Sequence, residues 1–247
     1  MRRIKKVGLI ALIFCISFSS NSTNAQQMAS GNKSLNEKEK SIIIISSLTA
    51  KGDLIKLKSG LEDGLKAGLT VNEIKEVLVH LYAYCGFPRS IRGLQTFMEV
   101  LRDRTGKNIN YTTGKEASPL NPENNKYERG KKILGELTKI QLPNTLTGYS
   151  AFAPAIDTFL KEHLFADIFE RDVLTYAQRE LVTISVIATI GNADPMLQAH
   201  LGISLNVSIT PDQLKEFVEI VKTTAGKKKS KAAMQVLKQV LKNRQLQ

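Results

Sequence analysis

The chain of 247 residues predicts an all-α fold in which one helical unit is used twice. Three observations carry this. Apolar residues recur at helical spacing, as in Ile74, Val77, Leu78 and Leu81, and again in Leu214, Phe217, Val218 and Val221. Each stripe opens on a matching cap, Thr70 with Glu73 three residues on and Thr210 with Gln213. Sliding the chain on itself by 140 residues aligns Ser41–Asp103 with Leu181–Asn243 without a gap.

The N-terminus comes first. Arg2, Arg3, Lys5 and Lys6 precede an apolar run from Val7 to Phe18 that is too short to span a bilayer. Small residues at Thr23-Asn24-Ala25 complete the pattern of a secretory signal peptide cleaved after Ala25. The expectation is a periplasmic or secreted protein with no integral membrane segment once residues 1–25 are removed. Cys15 follows Phe14, where a lipoprotein would need a small residue. Cleavage takes four basic residues away and lowers the formal charge from +12 to +8. The remaining basic residues are dispersed, and the one dense cluster, Lys227, Lys228, Lys229 and Lys231, lacks interleaved aromatics. It reads as a solvated helix end, and no nucleic-acid partner is expected.

The first unit spans 26–105. Its helices are expected near Glu37–Thr49, Asp53–Ala67 and Val71–Tyr84, with another after Pro88 carrying Ile91, Leu94, Met98 and Leu101. Ile42–Ile45 is β-branched, yet a Ser34/Glu37 capping box before it and the lack of a partner strand favour a buried helix. Residues 106–126, rich in Asn, Thr, Pro and Gly, form a linker. The second unit, 127–247, adds helices near Tyr127–Thr138 and Phe152–Phe169 before the repeat resumes. Identities across the repeat include Ile44/Ile184, Leu57/Leu197, Thr70/Thr210, Glu76/Glu216, Gly86/Gly226 and Ser90/Ser230. Caps and helix-ending glycines are position-specific in a way that apolar stripes are not, so a shared offset for them points to duplication.

Cysteine and histidine counts narrow the chemistry. Without the signal only Cys85 remains, so neither an intrachain disulfide nor a CxxC pair can form. Three histidines without HxxxH or HExxH spacing predict no metal site.

Several ordered motifs resemble the carboxymuconolactone decarboxylase family. In the second half these are Glu128-Arg129-Gly130, Ile133-Leu134-Gly135, Phe165-Ala166-Asp167-Ile168-Phe169, Arg179-Glu180-Leu181, Gly191, His200 and Ile209-Thr210. In the first half they are Glu73-Ile74-Lys75-Glu76-Val77, His80, Tyr82 and Tyr84-Cys85-Gly86-Phe87-Pro88. The resemblance covers nearly all of the mature chain. It implies an all-α fold whose two units form a fused pseudo-dimer, assembling as a homotrimer. The family includes lactone decarboxylases and alkylhydroperoxidase D-type antioxidant proteins.

The resemblance makes His200 the catalytic histidine and Glu180 its acidic partner. Imidazole moves protons near neutrality, and a carboxylate sets its tautomer. Asp194 is expected to cap a helix begun by Pro195, which places His200 in the second turn. In alkylhydroperoxidase D proteins two cysteines precede this histidine. Here Asn192 or Ala193 and Met196 stand in those places, which removes the thiolate a peroxidase needs.

The repeats diverge in a complementary way. His200 corresponds to Gly60, while His80, Tyr84, Cys85 and Pro88 correspond to Ile220, Thr224, Ala225 and Lys228. A composite cleft is therefore expected, with His80, Tyr84 and Arg89 on the wall facing His200 and Glu180. Arg179 or Arg89 would hold a substrate carboxylate. Cys85 is a weak redox candidate whose default is a small buried thiol.

Three functions follow. The first is a decarboxylase or isomerase acting by His general acid/base chemistry, without cofactor, on a small carboxylate or lactone. The second is an alkylhydroperoxidase D-like antioxidant with peroxiredoxin-type activity, disfavoured by the absent CxxC. The third is a non-catalytic periplasmic ligand-binding or scaffold protein.

Overall fold

The computed structural model describes residues 34–120 and 125–245. The proposed signal peptide, with Cys15, lies outside the described residues. In the first unit the helices are α1 (Glu37–Lys51), α2 (Leu54–Lys66), α3 (Val71–His80) and α4 (Tyr82–Gly106). The insertion holds α5 (Lys126–Thr138), α6 (Gly148–Phe152), α7 (Pro154–Thr158) and a π-helix, Phe159–Phe169. Then come α8 (Tyr176–Ile190), α9 (Asp194–Asn206), α10 (Pro211–Thr224) and α11 (Lys227–Gln245). Among the described residues there is no strand, and no helix is long and apolar enough to cross a membrane.

The duplication is written into the backbone. Adding 140 to the bounds of α2 gives those of α9. Positive φ recurs at the same offset in three places, Gly52 with Asn192, Gly68 with Ser208 and Gly86 with Gly226. Both Thr70 and Thr210 close full capping boxes. Ser90 donates to the Leu78 carbonyl at 2.7 Å, and Ser230 donates to that of Val218 at 3.0 Å.

The equivalent helices α1 and α8 pack together at the centre, with α2, α4 and α10 around α1. Ile42, Ile43 and Ile45 are fully buried there, as are Val182, Ile184 and Val186. Burial on all sides explains why a β-branched run remains helical: packing on several faces outweighs a propensity deficit of a few tenths of a kcal/mol per residue, about 0.7 at most. One core contains residues of both units, including Leu57, Leu61, Ile74, Phe97, Leu201, Leu214, Phe217 and Leu237.

Local predictions needed four adjustments. The cap of α1 is Asn36 with Glu39, not Ser34 with Glu37. Leu35 is buried at the preceding position and its N–H donates to Glu216 Oε2 at 2.8 Å, which ties the helix start to α10. Helix α3 ends at His80 rather than Tyr84. Leu81 makes a turn, and α4 is broken at Gly86 (φ 80°, ψ 160°) just ahead of Pro88. The stretch after Pro88 buries Ser90, Gly93, Phe97, Val100 and Arg104, leaving Ile91 and Met98 exposed. The helix expected over Phe152–Phe169 is divided at Ala153 (φ −135°, ψ 79°), because a residue before proline avoids helical backbone.

The insertion and linker are tied down. A side-chain carbon at Gly130 would lie 1.7 Å from the Lys161 carbonyl oxygen, so only glycine lets α5 approach the π-helix this closely. A smaller core of Ile133, Leu137, Leu164, Phe165, Ile168, Phe169 and Ile203 forms there. In the linker, the Thr112 and Thr113 carbonyls accept from the N–H groups of Val71 and Asn72, satisfying orphan donors of α3.

Candidate functional site

Helix α8 starts in a full capping box, Thr175 with Gln178. Because its central position buries most of its circumference, Arg179, Glu180 and Thr183 are all fully buried. Such groups must find partners inside the protein.

Glu180 finds His200. The carboxylate Oε2 is 2.9 Å from His200 Nδ1, with the Glu180 side chain fully enclosed and that of His200 15% exposed. An ionised carboxylate can only accept, so the proton lies on Nδ1 and the Nε2 lone pair is left for other chemistry. His200 stands in the second turn of α9, as expected. Asp194 does not cap that helix: Ala193 (φ −134°, ψ 40°) takes the boundary position, and no side chain caps the end.

Tyr84 lies between the two histidines. Its ring meets His200 edge-on at 5.7 Å and stacks near His80 at 5.6 Å. His80 also meets Phe169 at 5.0 Å. The Tyr84 hydroxyl is buried, although the residue as a whole is half-buried. Burial, and next the charge of Glu180, push that phenol well above its ordinary range. The structure thus brings His200, Glu180, Tyr84 and His80 into one cluster built from both units.

His80 does not line an open cleft. It is fully buried, with Nε2 2.9 Å from Thr183 Oγ1 and Nδ1 3.2 Å from Arg179 Nη1. Burial first, then the charge of Arg179, hold it well below the ordinary histidine range, so the ring is neutral. Arg179 is likewise not a free carboxylate fork. Its Nη2 donates to Glu76 Oε1 at 2.9 Å and to the Arg171 carbonyl at 2.5 Å. Arg171 holds the same carboxylate through Nε and Nη2, at 2.9 and 3.0 Å. Glu76, Thr183 and Arg171 were missed from sequence. Glu76 carried a signal, since it is identical to Glu216 across the repeat and stands one turn before His80.

Arg89 is exposed, and its guanidinium lies over Gly52, where a side-chain carbon would be 1.6 Å from Nη1. Cys85 is half-buried, donates to the Leu81 carbonyl at 3.2 Å, and burial pushes its thiol up to about 11. Few thiolates exist at neutral pH under those conditions. A cavity of about 200 Å³ lies toward the start of α9, lined by Ile187, Gly191, Asn192, Asp194, Leu197 and Lys229 among others, and His200 is not part of its wall. Among the described residues no three His, Cys, Asp or Glu side chains group as metal ligands.

Comparison with known proteins agrees with this organisation. Over 119 residues the chain is 29% identical to a 4-carboxymuconolactone decarboxylase of Acinetobacter baylyi, covering 48% of this chain and 88% of that protein. Over 90 residues it is 27% identical to an uncharacterized protein of Methanocaldococcus jannaschii, covering 36% of this chain and 84% of that one. The model of the carboxymuconolactone decarboxylase family matches twice, at residues 21–97 and 154–239, one match in each repeat. The chain therefore belongs to the carboxymuconolactone decarboxylase family, as a member that carries the family unit twice.

Proposed function

We propose that the protein is an enzyme in which His200 acts as general acid/base on a small carboxylate or lactone, such as the 4-carboxymuconolactone named for its Acinetobacter relative. The observation that carries this is the 2.9 Å bond from His200 Nδ1 to the wholly buried carboxylate of Glu180, beside a ring that keeps some access to solvent. Nothing in a helical core requires that pair. It leaves Nε2 as a base whose tautomer is set from behind, the arrangement proton transfer at carbon needs. Export after Ala25 and assembly as a trimer of fused pairs belong to the same reading. The exposed apolar row Tyr149, Phe152, Ile156 and Phe159 supports association between copies.

The test is turnover. Purified protein is assayed for carbon dioxide release and absorbance change on 4-carboxymuconolactone and a panel of small lactones and keto acids, beside His200→Gln and Glu180→Gln. Loss of about 100-fold or more in kcat for His200→Gln is expected. A partly open ring should be lost with a smaller drop in stability than the 1–3 kcal/mol typical of an unpaired buried group. A large fall in melting temperature with unchanged turnover would instead make His200 a core residue.

A further inference from the structure

The linker between the units is pinned along its length, and its last pin lies beside the buried network behind His80. Arg104, itself buried, donates through Nη2 to the Asn110 carbonyl at 2.9 Å and through Nη1 to Glu62 at 2.7 Å. The Thr112 and Thr113 carbonyls then accept from the N–H groups of Val71 and Asn72, both at 2.9 Å. Gly114 (φ 82°) lies so close to Thr70 that a side-chain carbon would collide with its hydroxyl. The Asn72 amide nitrogen faces the Gly114 and Lys115 carbonyls and Glu116 Oε1, at 3.1, 3.2 and 3.0 Å.

The last pin is Asp172. Its carboxylate accepts from the Ser118 N–H and hydroxyl, each at 2.9 Å, and pairs with Lys115 Nζ at 3.0 Å. One exposed ion pair would contribute little. Here a single carboxylate gathers three donors from a short stretch of linker, and its chain neighbour Arg171 faces inward. The Arg171 guanidinium holds Glu76, and its carbonyl accepts from Arg179 Nη2. Arg179 in turn meets His80 Nδ1 at 3.2 Å. Two adjacent residues thus join an exposed anchor to a buried network.

We propose that residues 110–118 form a strap, anchored by Asp172, that fixes Arg171 and through it keeps Arg179 and His80 in their buried positions. The strap does not depend on what His200 catalyses. It belongs to one side of the molecule only. Pro211 and Asp212 stand where Val71 and Asn72 do, and neither a proline nitrogen nor a carboxylate side chain can donate to such carbonyls.

The test compares the mature protein, labelled with 15N in histidine, with Asp172→Ala and Ser118→Ala. Hydrogen exchange at the Val71 and Asn72 amides should be about 10-fold faster in Asp172→Ala, because the strap opens more often. Trypsin should cut after Lys115 in that variant and leave the wild type intact there. The His80 ring signals, identified by their loss in His80→Gln, should shift in Asp172→Ala. Ser118→Ala leaves the Arg171–Asp172 turn chemically unchanged, so a smaller shift of the same kind there must arrive through the strap. It also decides the matter if Asp172→Ala lowers global stability. Faster exchange with unmoved His80 signals in both variants overturns the coupling. Unchanged exchange and unchanged trypsin resistance in Asp172→Ala overturn the anchor.

Discussion

The region around His200 and its counterpart around Gly60 share one backbone but not one chemistry. On the first side Glu76 is buried and holds Arg171 and Arg179, and the network continues through His80 and Thr183 beside Tyr84, Glu180 and His200. On the second, Glu216 occupies the equivalent of Glu76 but pairs with half-open Lys40 at 3.2 Å and with the Leu35 N–H. Thr224, in the place of Tyr84, returns its hydroxyl to the Ile220 carbonyl at 3.0 Å. Gly60 lies so close to α1 that a side-chain carbon would meet Ile44 at 3.2 Å and Leu48 at 3.4 Å. A duplicated scaffold thus keeps one polar cluster where the other copy is packed with apolar groups. A histidine needs room and partners, and only one side supplies both.

The sharpest contrast is between the two glutamates. Glu76→Ala leaves the buried Arg179 guanidinium uncompensated and should cost about 3–5 kcal/mol. Glu216→Ala removes a partly solvated pair and should cost about 1 kcal/mol or less. Chemical denaturation of both variants checks this, and equal losses would erase the distinction drawn between the two sides.

Installing the missing ring is the next test. Gly60→His must displace Ile44 and Leu48 and should lose roughly 1–3 kcal/mol through overpacking. It should give no second active centre, because Lys40 stands where Glu180 does. A variant that is stable and shows extra turnover would mean the second side is a dormant site rather than a packed one.

The smallest effect is a slope with pH. His80 titrates near 6.5 when unfolded and well below that when folded. As pH falls below 6.5 the unfolded chain takes up a proton that the folded ring refuses, so stability drops by about 1.4 kcal/mol per pH unit until the folded pKa is reached. Above 6.5 the ring contributes no slope. His80→Gln should flatten this acid arm, measured by urea midpoints from neutral pH downward. A slope unchanged in His80→Gln would place the proton uptake elsewhere.

How much was legible in advance depended on the reach of each interaction. The caps at Thr70, Thr175 and Thr210 each close within three residues. Only Thr70 and Thr210 were read beforehand, although Thr175 with Gln178 has the same spacing. The cap at Asn36 was placed two residues early, because the neighbouring Leu35 is fixed by burial and by Glu216, 181 residues away. The pairing of Glu180 with His200 came from a resemblance rather than from periodicity, since twenty residues and a helix boundary separate them. His80 is fully buried where a cleft wall was expected, and Arg179 was read as a substrate fork although its Nη1 and Nη2 are engaged inside the protein.

What the sequence by itself determined is what short-range physics encodes. Helical periodicity, capping boxes and the shared helix-ending glycines Gly86 and Gly226 depend on neighbours within a turn or two. They were enough to make the chain all-α and doubled. Which polar side chains are buried, and against what, was decided only by the tertiary structure. His80 meets Arg179 and Thr183 across 99 and 103 residues, and Arg179 meets Glu76 across 103. Desolvation acts on a side chain through whatever surrounds it in space. The neutrality of His80 and the unpaired hydroxyl of Tyr84 therefore arise only where the two units close on each other.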